Sequence, residues 1–433
     1  MAASGLHAAD VVSGGEDPEL IKEHLTVVLG EASNGRPPTL EPARLEYKSA
    51  HNGARLRAYS WVGCVREPRA VVAFVHGFNH QVGNSMYVRI ASEMAAEGIA
   101  CCGVTVEGHG RSSGMPGLVT DVSVLADQVL EFLDIVRAGG DDAVRREEGL
   151  PDLMAVAADG DVVATNADLP TLPPGTPFFL LGESMGGAVA VRCADARPGE
   201  FAGAVLLSPL CGVSDGMLPN PLLLAIAECL AVFIPSLPAA PVPSTIEKGF
   251  NDPLRLRVVQ SDTLRYGGRM RIGSGLALSR AARQSSAIAP RLTIPLLIIH
   301  SPHDGVCSAQ ASRRFFDAAG SEDKAYIEVP RGKHALWWEA LPLRAAMLAD
   351  ILWFVRTRAE AAVGAAPSRV GSGVVTYEAM PDGPFRVEPG EVFLAGSAAS
   401  GPPGWVPYEK RPGAEFATGG SLPLRKTLAA AKD

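Results

Sequence analysis

The chain has no paired pattern of cysteines. Its seven (Cys64, Cys101, Cys102, Cys193, Cys211, Cys229 and Cys307) are scattered through 433 residues, odd in number and several inside apolar runs. This argues against a disulfide framework or a cysteine-held metal and for free buried thiols in a reducing compartment. Basic charge is not in surplus either: 39 Lys and Arg stand against 47 Asp and Glu, a net charge of −8. No polycationic face for nucleic acid is expected. No apolar run reaches the roughly 20 residues needed to cross a bilayer. The longest, Leu222 to Ile234, is bounded by Pro221 and Pro235 and contains Glu228. The first twenty residues lack a basic segment followed by an apolar one. They carry Asp10, Glu16, Asp17 and Glu19 without an arginine, so neither a secretory signal nor a transit peptide is expected. These absences together predict a cytoplasmic location.

What is present is an alternation of strand-like and helix-like segments. Residues 1–41 read as a poorly ordered lead-in with one short helix near Glu19 to Leu29. Leu45 to Ser49 and Leu56 to Val62 flank His51-Asn52-Gly53, a good hairpin turn. Ala70 to Val75 is a continuous apolar run, which suits a strand buried on both faces of a parallel sheet. A helix is expected at about Ser85 to Glu97, a strand at Ile99 to Val106 and a helix at Val119 to Val136. Residues 138–177 break the rhythm with Gly139-Gly140-Asp141-Asp142 and Leu172-Pro173-Pro174-Gly175, and read as a mobile surface insertion. Ala202 to Leu207, Pro295 to His300 and Ala325 to Val329 read as further strands, with helices near Ser308 to Ala319 and Leu341 to Arg358. Between them, 210–288 has no strand rhythm. Beyond about 358 the chain turns Gly/Pro-rich, as in Gly401-Pro402-Pro403-Gly404, and residues 359–433 read as a disordered tail. The fold class is therefore α/β, with a mostly parallel central sheet and flanking helices.

One stretch organises the chemistry. Phe178-Phe179-Leu180-Leu181 runs into Gly182-Glu183-Ser184-Met185-Gly186, and Ala188 to Val191 follow. This is a strand, a sharp turn and a helix, with Ser184 on a strained bend that pushes its Oγ clear of the sheet. Taken alone, the five-residue pattern also fits an ordinary glycine-rich turn. A serine hydroxyl is a poor nucleophile unless a base takes its proton and a third group steadies the base. On a parallel sheet carrying such a bend, acid and base follow later in the chain on loops at the carboxyl ends of strands. Asp304 lies just past Leu296 to His300, and His334 just past Ala325 to Val329. The expected roles are Ser184 as nucleophile, His334 as general base and then acid, and Asp304 fixing the imidazole. A developing oxyanion needs two donors, expected from the backbone N–H groups of Met185 and Phe78. The histidines at 76, 80, 109, 300 and 303 read as structural or pocket-shaping, since none follows the last strand.

With these residues in place, the chain resembles the monoacylglycerol lipase and lysophospholipase group of α/β-hydrolases, of plant and algal type. The resemblance rests on His76-Gly77-Phe78, Glu107-Gly108-His109-Gly110-Arg111-Ser112, Gly182 to Gly187, Ser208-Pro209-Leu210-Cys211, Asn251-Asp252-Pro253-Leu254, Ala287 through Asp304, and Gly332-Lys333-His334. It spans about residues 42–358. It implies the α/β-hydrolase fold, with a core in two parts (42–209 and 289–358) and a helical cap over 210–288 between them. Two departures stand out. The spacing in His76-Gly77-Phe78-Asn79-His80 is shorter than usual, and His300-Ser301 stands where His-Gly is common.

The expected activity is cleavage of lipid-like carboxylic esters, monoacylglycerol or lysophospholipid, through an acyl-serine intermediate. No metal or organic cofactor is implied. The partners expected are a small-molecule lipid ester and, through the apolar cap segment, peripheral membrane contact. The alternatives on the same three residues are a phenolic-ester esterase, an acyltransferase or an aminopeptidase. A non-catalytic ligand-binding protein of the same fold is the rival from another class.

Overall fold

Residues 43–60 fold back on themselves as the expected hairpin, β1 (Ala43–Lys48) against β2 (Arg55–Ser60). The turn between them carries Gly53 at φ +74°. The computed structural model describes residues 40–139, 142–157, 161–164, 169–214, 221–238 and 246–362, together with short strands at 373–378, 393–394, 406–407 and 425–428. The lead-in helix expected near Glu19 lies outside the described residues.

From β3 (Ala70–Val75) onward strand and helix alternate. In chain order follow α1 (Ser85–Ala95), β4 (Ile99–Thr105), α2 (Val122–Ala138), α3 (Asp142–Glu147), β5 (Met154–Val156), β6 (Val162–Ala164), β7 (Phe178–Glu183) and α4 (Met185–Ala196). Then come β8 (Phe201–Leu207), α5 (Pro221–Phe233), α6 (Pro253–Gln260), α7 (Ile272–Ile288), β9 (Leu296–His300), α8 (Ala309–Ala318), β10 (Lys324–Glu328) and α9 (Leu341–Ala362). The main sheet has the strand order β14-β11-β10-β9-β8-β7-β3-β4-β2-β1-β5-β6, with β11 at Gly373–Glu378 and β14 at Arg425–Leu428, while β12 (Phe393–Leu394) and β13 (Val406–Pro407) pair with each other. Pairing is parallel from β4 through β3, β7, β8, β9 and β10 to β11, and antiparallel at both margins.

Two apolar layers, one on each face, hold this sheet in place. Strand residues alternate in direction, so Phe178 and Leu180 join one cluster while Phe179 and Leu181 join the other. The first cluster takes α2, α4, α7 and α8, with Leu133, Val189, Ala281 and Phe315 among its members. The second takes α1 and α9, with Tyr87, Met94, Ile351 and Phe354. The all-apolar reading of β3 and β7 is explained by this burial on both faces. Several helices start on a side-chain cap: Asn84 accepts from the N–H groups of Met86 and Tyr87, Asp121 from Ser123, and Ser308 from Ala311. Such a cap satisfies N–H groups that the first turn leaves without carbonyl partners.

Three expectations need adjustment. The 138–177 insertion is not simply a mobile excursion: β5 pairs with β1 and β6 with β5, so a small hairpin extends the sheet margin. Leu153, Val156 and Leu169 are buried there. In the 359–433 stretch, read as a disordered tail, α9 continues to Ala362 and β11 pairs in parallel with β10. The rest of that stretch, apart from its short strands, lies outside the described residues. Finally, α7 falls inside the 210–288 interval assigned to the cap, yet packs against α4 and buries Leu278, Ala281 and Ala282 in the core.

Candidate active site

The bend after β7 is built by close approach of backbone to backbone. A Cβ on Gly182 would strike the carbonyl of Gly186, and one on Gly186 would strike the carbonyls of Val75 and His76. Only glycine permits the helix to start this close to the strand. Ser184 between them is held at φ +55° and ψ −117°, a region costly for a side chain with a Cβ. Hydrogen bonds from Ser184 N to Leu207 O (3.0 Å) and from Leu210 N to Ser184 O (2.9 Å) secure it. Ser184 occupies the N-cap position of α4 but caps nothing with its side chain. Its hydroxyl is left for other partners.

That partner is His334, whose Nε2 lies 2.9 Å from Ser184 Oγ. The opposite ring nitrogen, Nδ1, is 2.7 Å from Asp304 Oδ2. Asp304 follows β9 and His334 follows β10, as the reading of the strands required. The three side chains come from loops at the carboxyl ends of β7, β9 and β10, and the structure brings them into one line. Asp304 is itself firmly held: its Oδ1 accepts the N–H groups of Val306 (2.7 Å) and Cys307 (2.9 Å). Burial alone would raise the Asp304 carboxyl, but the charge of His334 and the hydrogen bonds from His300 and His334 outweigh it and hold the group well below the usual range. Burial would likewise lower His334; the charge and hydrogen bond of Asp304, with the charge of Glu183, outweigh it and raise its affinity for a proton.

The two loops are tied together. Ser301 Oγ donates to the carbonyl of Gly332 at 2.6 Å, so the serine standing where glycine is common joins the aspartate loop to the histidine loop. Asn251 Nδ2 donates to Arg331 O at 2.6 Å and to Glu339 Oε1 at 3.0 Å, and Glu339 Oε1 also accepts the N–H of Lys333 at 2.7 Å. The Asn251-Asp252-Pro253-Leu254 motif thus braces the His334 loop, and Asp252 caps α6 with Pro253 in its first turn.

Phe78 lies in the turn after β3, closed by His80 N to Gly77 O at 3.1 Å, with Asn79 at φ +62°. A Cβ on Gly77 would stand 3.4 Å from Ser184 Cβ and from Glu183 O, so this turn runs directly against the bend. Met185 opens α4, and its N–H, at the first position of the helix, has no carbonyl of that helix to meet. Glu183, buried, accepts from Tyr87 OH at 3.3 Å and stands 3.6 Å from His80 Nδ1. Burial would raise its carboxyl; the hydrogen bond and charge of His80, the charge of His334 and the Tyr87 hydroxyl hold it down. His76 accepts the N–H of Val106 at 3.0 Å through Nε2 and stacks edge-on with His109. Burial pushes both rings toward the neutral form, His109 down to about 4. Their structural reading holds. His300 does not fit that reading, because its Nε2 lies 2.9 Å from Asp304 Oδ2. No pattern in the sequence around His300 signals that contact.

Beside Ser184 lies Cys307, Sγ 3.9 Å from Oγ, a thiol that burial and the Asp304 charge keep protonated. Among the described residues no group of three or more His, Cys, Asp or Glu side chains is arranged to hold a metal ion. On α5 and the residues just after it, Ile226, Leu230, Val232, Phe233, Ile234 and Leu237 are exposed, Phe233 at 84% and Val232 at 75%. No helix among the described residues is long and apolar enough to cross a membrane.

Known proteins resemble this chain in sequence and in fold. The model of the Hydrolase_4 family, described as serine aminopeptidase, S33, matches residues 66–147 and 146–340. The chain is 26% identical over 300 residues to the monoglyceride lipase of Homo sapiens, covering 69% of this chain and 86% of that one. It is 28% identical over 290 residues to the monoacylglycerol lipase of Mycolicibacterium smegmatis, covering 67% and 89%. The crystal structure of Paleococcus ferrophilus monoacylglycerol lipase superposes with a TM-score of 0.53 at 21% identity, over 70% of this chain and 98% of that one.

Proposed function

Because the chain belongs to the serine aminopeptidase S33 (Hydrolase_4) family of α/β-hydrolases, we propose that it is a serine hydrolase of lipid-like carboxylic esters, with monoacylglycerols or lysophospholipids as its substrate class. The observation that carries this reading is the line Ser184–His334–Asp304, with contacts of 2.9 and 2.7 Å. In the proposed reaction His334 Nε2 takes the Ser184 proton as Oγ attacks the ester carbonyl carbon. The carbonyl oxygen becomes an oxyanion received by the N–H groups of Met185 and Phe78, each donor contributing about 3 kcal/mol in the transition state. Asp304 accepts the Nδ1–H and balances the imidazolium. His334 then gives its proton to the departing alcohol oxygen, leaving Ser184 acylated. A water repeats the sequence, releasing the fatty acid and restoring the serine.

The preference for lipid esters over peptides has two supports. The human and mycobacterial relatives are named as glyceride lipases, and a further relative from Arabidopsis thaliana, 25% identical over 279 residues, as a caffeoylshikimate esterase; all three names specify ester chemistry. An aminopeptidase also needs a carboxylate for a substrate ammonium, whereas Glu183, beside the bend, is buried against Tyr87 and His80. The exposed apolar face of α5 and the residues after it suits contact with a lipid surface, where such a substrate resides.

A fluorophosphonate probe should label the protein but not Ser184→Ala. The labelled protein should then turn over glycerides or lysolipids faster than phenolic esters or aminoacyl amides, with water rather than added alcohol as acceptor. Absence of labelling would remove the enzyme reading in favour of a binding protein. A preference for amides would move the assignment to a peptidase.

A further inference from the structure

Asp304 Oδ2 receives two imidazoles, one more than the proposed reaction uses. His300 is wholly buried at the end of β9, with Nε2 2.9 Å from Oδ2 and Nδ1 2.7 Å from Ser312 Oγ. Ser312 Oγ lies in turn 2.9 Å from Tyr326 OH and 3.0 Å from Ala309 O. One assignment of protons keeps His300 Nε2 a donor to the carboxylate, with the Ser312 hydroxyl turned from Ala309 O to His300 Nδ1. The Tyr326 hydroxyl donates to Ser312, the Ser312 hydroxyl donates to His300 Nδ1, and His300 Nε2–H donates to the carboxylate. Burial keeps the Tyr326 phenol protonated and hence a donor.

We infer that His300 is a positioning residue of the ester hydrolase: anchored through Ser312 and Tyr326, it fixes Asp304 Oδ2 and moderates how strongly that oxygen binds the His334 proton. The inference rests on the function proposed above. An N–H aimed at Oδ2 draws on the same electron density that His334 Nδ1–H uses. Asp304 then has four donors, two backbone N–H groups on Oδ1 and two imidazoles on Oδ2, and the carboxylate has no freedom to turn. Without the second imidazole Oδ2 holds the His334 proton more tightly, and the imidazolium persists to higher pH. Other titratable groups around this assembly are Glu183 facing His334, the Cys307 thiol, and Cys211 near Tyr326 and Cys307. Arg313 lies over the Tyr326 ring, and Glu328 is the β10 register partner of His300. None of these donates to Oδ2 among the described residues.

The test uses the full chain and p-nitrophenyl acetate, with kcat/KM measured against pH for the parent, His300→Leu, His300→Gln and Ser184→Ala. Glutamine keeps an N–H donor for Oδ2 and an acceptor for Ser312, whereas leucine keeps neither. His300→Leu is expected to move the acidic limb upward by about one pH unit and to lower activity several-fold at pH 7. His300→Gln should return both close to the parent. Should His300→Leu fail to fold, His300→Asn replaces it, since its shorter amide cannot reach Oδ2, and the same upward shift is expected. An unmoved limb in the leucine or asparagine variant, or a glutamine variant as displaced as leucine, overturns the role of His300. Activity retained by Ser184→Ala would overturn instead the hydrolase reading beneath it.

Discussion

Replacing Asp304 by asparagine tests the proposed chemistry most sharply, because the surroundings decide how the amide must sit. The backbone N–H groups of Val306 and Cys307 both point at Oδ1. If the amide NH2 took that place, two buried donors would face a third, at roughly 1–3 kcal/mol for each N–H left unmet. The amide oxygen therefore keeps the Oδ1 site and the NH2 takes the Oδ2 site, facing both imidazoles. His300 can adapt by shifting its proton to Nδ1, since Ser312 can then direct its hydroxyl to Ala309 O, 3.0 Å away. His334 can adapt only by moving its proton from Nδ1 to Nε2, where it meets Ser184 Oγ at 2.9 Å. A ring protonated at Nε2 cannot accept the serine proton. The variant should fold like the parent, since shape and hydrogen-bond number are retained, yet lose about 10⁴ in kcat, or about 5.5 kcal/mol. Steady-state kinetics on a soluble ester would measure this, with circular dichroism as the check on folding. A folded variant within about tenfold of the parent would refute the assigned role of Asp304.

For Ser184→Ala, loss of fluorophosphonate labelling and of essentially all turnover is expected, with an unchanged thermal midpoint; residual turnover above about one part in a thousand would contradict the nucleophile assignment. Since the proposed reaction needs neutral His334 and its proton affinity is raised, the acidic limb of kcat/KM should lie above the free-imidazole value of about 6.5, activity falling as pH drops through it. Glu183→Gln removes a negative charge that favours the His334 proton, so this limb should move down, opposite to His300→Leu; an upward shift would mean that Glu183 acts some other way. For the paired substitution Val232→Asp and Phe233→Asp, sedimentation with phosphatidylcholine vesicles should show at least about tenfold weaker binding, from about 2–3 kcal/mol of lost apolar contact. Hydrolysis of a soluble short-chain ester should be unaffected, and unchanged vesicle binding would remove the lipid-surface role of α5.

How much of this was legible in the sequence depended on whether the signal was local. The bend at Ser184 was readable because glycine at 182 and 186, an apolar strand before it and small residues after it are all consequences of one close packing. Asp304 and His334 were readable because each follows a strand with a buried apolar centre, Leu296 to Ile299 before Asp304 and Ala325 to Ile327 before His334. What escaped were contacts decided by register between distant segments. The parallel pairing of β9 with β10 sets His300 and Tyr326 near each other, and nothing in the local pattern at His300 shows which side of its strand meets Asp304. Asn251 was recognised within a motif, but its grip on Glu339 spans 88 residues. The hairpin at β5 and β6 was missed because three-residue strands bounded by polar stretches carry too little alternation to register as strands.

The left-handed backbone at Ser184 has a consequence for how this protein can be followed in solution. That conformation exists only while Leu207 and Leu210, on the neighbouring segment, grip both sides of the peptide. A short peptide with the same letters would relax out of it and would also lack its imidazole. Covalent capture of the hydroxyl is thus a census of native molecules, and its amplitude should decline along a urea titration in step with the tryptophan signal of the interior.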